Sequence, residues 1–171
     1  MSGHVIAMPR VAIRPLTIEE LPLCVPFGEA FFQEFSLRGI FSPSHFLNVW
    51  TRFIEQLGAV VLGLYREDEL IGGLGALISP DVFTGETVAT EMFWYIGQEH
   101  RSGTGALRLL RAFESWGSER GVSEVRLSHF MMKNNNVLQT LYEHRGYRLI
   151  EQGYQKRLQG ETLCLSSQQQ S

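Results

Sequence analysis

Apolar positions along the chain alternate between two spacings, and the changes of spacing divide it into elements. Val11 to Arg14 reads as a short strand that Pro15 stops. Thr17 and Glu20 stand at capping-box distance and predict a helix start, which Pro22 and Pro26 delay or break. Phe27, Phe31, Phe32 and Phe35 recur at helical spacing. Ser42-Pro43 predicts an N-cap followed by proline at the first helical position. Phe46, Val49, Trp50, Phe53 and Leu57 then form one apolar stripe that Gly58 closes.

The middle of the chain changes to β spacing. Ala59 to Tyr65 and Leu70 to Ile78 flank a polar turn at Arg66, Glu67 and Asp68, and predict an antiparallel hairpin. Ser79 to Gly85 is a loop, open to reading as a lid or a dimer contact, and Thr87 to Ile96 is a longer strand. Gly97 to Thr104 is a polar connection. A helix follows from about Gly105 to Arg120, with Ala106, Leu107, Leu110, Phe113 and Trp116 on its apolar face and Gly121 at its end. Val125 to His129 predicts a strand. Asn134 to Asn136 cap a helix to about Arg145, Gly146 closes it, and Tyr147 to Ile150 and Tyr154 to Leu158 predict two last strands. The order is β-α-α-β-β-β-α-β-α-β-β: an α/β fold with a mixed, mostly antiparallel central sheet and flanking helices.

Composition narrows the function. A length of 171 residues suits one domain, expected over residues 1–165, with a frayed tail at 166–171. The formal net charge of -3 argues against sequence-independent nucleic-acid binding, which needs a basic surface. The apolar run Ala59 to Leu64 is far short of a bilayer span, and no charged segment leads into an apolar one at the N-terminus as in a signal peptide. Cys24 and Cys164 belong to no CxxC pair; they read as reduced thiols of a cytoplasmic protein rather than a long-range disulfide. The five histidines show no HxxxH or HExxH spacing, so no metal site is expected. No GxSxG elbow supports a hydrolase.

One stretch carries chemistry. The strand ending at Trp94-Tyr95-Ile96 runs into Arg101-Ser102-Gly103-Thr104-Gly105-Ala106, a turn of small residues that opens directly into an amphipathic helix. Unpartnered amides and the positive end of the peptide dipoles meet at such a place, and small side chains let a phosphate reach the backbone. Arg101 would add a fixed positive charge at the edge. The same composition also serves an ordinary strand-to-helix turn. A Walker A loop lacks its Gly-Lys-Ser/Thr here, and the position past mid-chain, after antiparallel strands, does not suit a dinucleotide fold.

The segment resembles motif A of the GCN5-related N-acetyltransferase (GNAT) family, Arg/Gln-x-x-Gly-x-Gly/Ala. Arg101 and Ala106 match; Thr104 stands where the family has glycine, and the glycines fall at 103 and 105. Downstream, Asn135, Leu141, Tyr142 and Gly146 match the family's Asn-x-x-Ala-x-x-Leu-Tyr-x-x-x-Gly-Phe, with Tyr147 as the terminal aromatic and Leu138 for alanine.

The resemblance implies a GNAT-like fold and acetyl transfer from acetyl-CoA to a primary amine of a small molecule or protein. It implies that the amides of Arg101 to Ala106 hold the pyrophosphate, and that Trp94 and Ile96 lie on the strand that pairs with the pantetheine amides. Asn135 would contact the cofactor from the next helix. Glu91, among Met92, Phe93, Trp94 and Tyr95, is the candidate base, with His129 as the alternative, and Tyr142 the candidate acid for the leaving thiolate. Asn135 also suits a helix cap and Tyr142 a core-facing aromatic. The phenylalanine-rich helices between Phe27 and Phe53 read as core; the resemblance implies that this region also lines the acceptor pocket, with some of Phe31, Phe35, Phe41 and Trp50 facing substrate. A non-catalytic CoA-binding or interaction module, transfer of a longer acyl group, and a homodimer stay open.

Overall fold

A computed structural model of the chain describes residues 10–35, 37, 39–56, 58–129 and 136–156. The chain divides into two compact units, residues 1–130 and residues 131–171.

The first unit is built on a five-stranded sheet in the order β1-β2-β3-β4-β5. Its strands are β1 (Val11–Pro15), β2 (Val60–Arg66), β3 (Glu69–Pro80), β4 (Thr87–Ile96) and β5 (Glu124–Arg126). Neighbours are antiparallel through β4, and β5 joins β4 in parallel. The parallel pair requires a crossover, which is α3 (Gly105–Glu119).

Alternation along the strands splits the core into two layers. Leu62, Leu64, Ala76 and Ile96 pack on one face with Leu109, Phe113 and Trp116 of α3. Val61, Phe93 and Tyr95 pack on the other with Leu16, Leu21, Cys24 and Trp50, under α1 (Val25–Glu34) and α2 (Pro43–Gln56). Trp50 lies so close to the sheet that a Cβ on Gly75 would come within 2.2 Å of its indole ring.

The capping pair closes as expected: the Thr17 N–H donates to the Glu20 carboxylate at 3.0 Å. It opens a 3-10 segment, Ile18–Cys24, with Pro22 inside it. Ser42 caps α2 by accepting the His45 N–H at 3.3 Å. Pro15 ends β1 from within, as its last residue. The loop after β3 is a closed turn in which Asp81 Oδ1 accepts the N–H groups of Phe83 and Thr84, both at 3.0 Å.

Three expected strands change. β5 covers only Glu124–Arg126 of the segment expected to reach His129. Its ladder stops at the Thr90–Arg126 step, and the next amide to point back, that of Ser128, bonds a side chain instead of a strand carbonyl.

In the second unit, α4 (Asn136–His144) ends at Gly146, whose φ of 85° suits glycine. The Tyr142 ring packs against Tyr147 at a centroid distance of 5.9 Å, with the two planes tilted by 52°. Residues 147–150 form no strand, and Leu149 and Ile150 are exposed. A strand exists through its ladder, and residues 136–156 contain no second strand to supply one. Of the other expected strand, residues 154–156 are irregular and residues 157–158 lie outside the described residues, as do Leu57, Asn134, Cys164 and the tail 166–171.

Candidate active site

After Ile96 the chain turns in a tight sequence. Gly97 donates its N–H to Ile71 at 3.0 Å, His100 to Gly97 at 2.8 Å, and Arg101 to Gln98 at 3.4 Å. From Ser102 to Ala106 the pattern stops: no described residue accepts a hydrogen bond from these five amides. They lead into the first turn of α3, where the peptide dipoles sum to a positive end. Gly103 has φ of 101°, a region L side chains rarely adopt. Gly105 sits against β2, where a Cβ would come within 3.0 Å of a Leu64 methyl. Thr104 has φ of -96° and ψ of 3°, so a β-branched residue stands there without strain. The glycine displaced from the family position is therefore supplied one residue earlier, where the backbone needs it.

The Arg101 side chain departs from expectation. Its guanidinium turns to α1, where Nη1 and Nη2 donate to the two Glu34 oxygens at 2.7 and 2.6 Å. Nε donates to the Ile96 carbonyl at 2.9 Å, and the group lies 5.0 Å from the centroid of the Tyr95 ring. Arg101 holds the Glu34 carboxyl down to about 2. The positive charge expected at the edge of the turn is thus matched by a carboxylate, because a fork-shaped donor and a planar acceptor pair bidentately.

Beside the turn, β4 is irregular. Phe93 pairs with Gly75 and Glu91 with Ala76, so Met92 is an extra, bulged residue. On the other side, β4 pairs with β5 only from Val88 to Thr90. Beyond Thr90, among the described residues, β4 has no strand partner on that edge. Trp94 and Ile96 direct their side chains into the α3 layer, so what they offer outward is backbone.

Glu91 sits where the two strands part. It is 6% exposed. Burial pushes its carboxyl up to about 7, against two hydrogen bonds from Ser128 that favour the ionised form. Those bonds reach Oε2 from the Ser128 N–H at 3.2 Å and from its hydroxyl at 3.1 Å. His129, the alternative base, is half-buried next to Ser128.

Glu91, Trp94, Ile96 and the turn from Arg101 to Ala106 thus belong to one strand-turn-helix unit. Tyr142, in the second unit, is buried. Asn135 lies outside the described residues. Trp50 is core, whereas Phe31, Phe35 and Phe41 are half-buried. Pro26, Phe27 and Ala30 of α1 face Tyr95, Gly97 and Gln98 across an open cleft of 550 Å³. Ser128 and Glu34 were not legible as site residues; each meets its partner across 37 and 67 residues of chain, and neither lies in a recognisable motif. Among the described residues no group of three His, Cys, Asp or Glu is placed to hold a metal, and no helix is long and apolar enough to cross a membrane.

The model of the Acetyltransferase (GNAT) family matches residues 27–147. No curated protein sequence matches the chain. Among solved structures, a ribosomal-protein-alanine N-acetyltransferase from Brucella melitensis superposes with a TM-score of 0.69 at 20% identity, over 86% of this chain and 99% of that one. A transcriptional regulator from Bacillus halodurans gives 0.72 at 16% identity, over 87% and 100%. An aminoglycoside N-acetyltransferase, AAC(6')-Iy, in complex with CoA, gives 0.71 at 16% identity, over 91% and 99%. At these identities the likeness shows the fold.

Proposed function

Because the chain belongs to the GNAT acetyltransferase family, we propose that it moves an acetyl group from acetyl-CoA to a primary amine of a small molecule or a protein, by direct transfer. The observation that carries this reading is the run of five amides, Ser102 to Ala106, with no acceptor among the described residues at the positive end of α3. A diphosphate needs such a cradle. The small side chains fit it: Gly103 supplies the turn and Ala106 crowds nothing. The edge of β4 beyond Thr90, without a strand partner among the described residues, suits an extended amide-bearing chain, which pairs with a sheet edge as an added strand does. The CoA complex of the aminoglycoside enzyme lends support from a relative of the same fold.

Acetyl-CoA supplies an activated acyl carbon; the chain's task is to place it and to move protons. An alkylamine has a reference pKa of roughly 10.4, so its nitrogen must give up protons before and during attack. Glu91, with a carboxyl near 7, can accept one directly or through a water. It takes the proton that the amine nitrogen loses as that nitrogen bonds the acetyl carbon. Tyr142 returns a proton to the sulfur as the carbon–sulfur bond breaks, an assignment that rests on its place in the family motif. The family match runs from one compact unit into the other, which supports reading both as parts of one domain. Cys24, a buried free thiol among the described residues, pushed up to about 12 by burial, suits a reducing, cytoplasmic setting.

Thermal unfolding with acetyl-CoA, followed by CoA release against a panel of amines, tests the proposal. Acetyl-CoA at a hundred times its Kd stabilises the protein by about 2.7 kcal/mol. No shift at millimolar acetyl-CoA would exclude the reading; a shift without CoA release for any amine would reduce it to a binding module.

A further inference from the structure

In the turn proposed as the cofactor cradle, the amides of Ser102 to Ala106 donate to no described residue, and the Thr104 carbonyl, which accepts the Arg108 N–H at 2.9 Å, ties the far end of the turn to α3. The near end, where those amides begin, is held from outside the turn. Glu34, near the C-terminal end of α1, holds it by geometry. Its carboxylate is 12% exposed and receives both Nη atoms of Arg101, at 2.7 and 2.6 Å. It also receives the Gln98 side-chain amide at 3.3 Å. Both ends of the short 3-10 turn Gln98–His100 are therefore tied to one residue of α1. Arg101 Nε closes the base of the turn on the Ile96 carbonyl at 2.9 Å. A bidentate guanidinium–carboxylate pair fixes orientation as well as distance.

We infer that Glu34 is a positioning residue for the diphosphate-binding amides, acting through Arg101 and Gln98 and linking the helix that walls the 550 Å³ cleft to the cofactor turn. The inference rests on the cofactor reading above. It makes a prediction opposite in sign to simple electrostatics. A carboxylate beside an anion site repels the anion, so charge alone says that removing Glu34 tightens acetyl-CoA binding. Positioning says that removal weakens it.

Titration calorimetry with acetyl-CoA on wild type, Glu34→Gln and Arg101→Lys decides the matter, with circular dichroism melting as the check on folding. Both substitutions are expected to weaken binding about tenfold, which is 1.4 kcal/mol. Arg101→Lys keeps the charge and loses the fork, so it answers the question even if Glu34→Gln folds poorly. In steady state, Glu34→Gln should raise KM for acetyl-CoA while kcat at saturation holds, and Glu34→Asp should recover part of the loss. Wild-type binding with unchanged or tighter binding by both variants would overturn the inference alone. Absence of binding by wild type would instead remove the cofactor reading on which it stands.

Discussion

Ser128 donates its backbone N–H and its hydroxyl to the same oxygen of Glu91, at 3.2 and 3.1 Å. Two donors on a carboxylate stabilise its charged form, while burial destabilises it. Burial prevails, and the carboxyl lies near 7 rather than in the usual carboxylate range. Ser128 thus moderates a group that would otherwise be held neutral and unable to accept a proton.

Ser128→Ala follows from this balance. It deletes the hydroxyl and keeps the backbone N–H. A hydrogen bond to a charged group is worth about 1.5–3 kcal/mol, so the Glu91 carboxyl should rise by about one unit. The acid limb of log kcat/KM against pH should bend near 7 in wild type and about one unit higher in the variant. Activity lost at pH 7 should return at pH 9. Superimposable profiles would show that Ser128 does not act on the base.

Glu91→Gln tests the proposed base in two ways. Loss of a general base should lower kcat at pH 7 by about a hundredfold or more and leave acetyl-CoA affinity near wild type. Stability gives the second readout. The folded carboxyl lies near 7, above its ordinary value of 4.5, so the folded state holds the proton more tightly than the unfolded chain. That contribution is fully present below 4.5 and is lost as pH rises through 7. Between pH 4 and pH 8 wild type should therefore lose on the order of 3 kcal/mol that the glutamine variant does not. Urea titrations at both pH values measure it, and parallel behaviour of the two proteins would contradict the buried, neutral carboxyl.

The turn offers a contrast between neighbours. Gly103 has φ of 101°, so Gly103→Ala places a Cβ in a backbone region that costs about 1–2 kcal/mol. The turn should reshape and acetyl-CoA binding weaken about tenfold. Thr104 has an ordinary backbone, so Thr104→Gly restores the residue type of the family position yet should change affinity by less than about threefold. Calorimetry on the pair checks both. Equal losses would mean that the amides of the turn are not what holds the diphosphate.

Much of the fold was legible because local physics encodes it. Pro43 after Ser42 fixes the start of α2, Gly121 with φ of 70° fixes the end of α3, and the β-rich run Thr87–Ile96 appears as β4 with the bounds expected. Where expectation failed, the missing element needed a partner. Val125–His129 is shortened where the Ser128 N–H bonds the Glu91 carboxylate instead of a strand carbonyl, and Tyr147–Ile150 is irregular, with no second strand among residues 136–156.

The site divides along the same line. Motif A could be read from sequence because its residues are contiguous: a strand end, small residues and a helix start follow one another along the chain. The sequence alone therefore determined the family, the element order as far as α4 and the place of the turn. Only the tertiary structure decided that the Arg101 guanidinium faces α1 rather than the turn's own edge, and that Glu91 is buried and met by Ser128. Hydrogen bonds and desolvation depend on which atoms meet in space, and residues 37 and 67 positions apart leave no local pattern from which that meeting can be inferred.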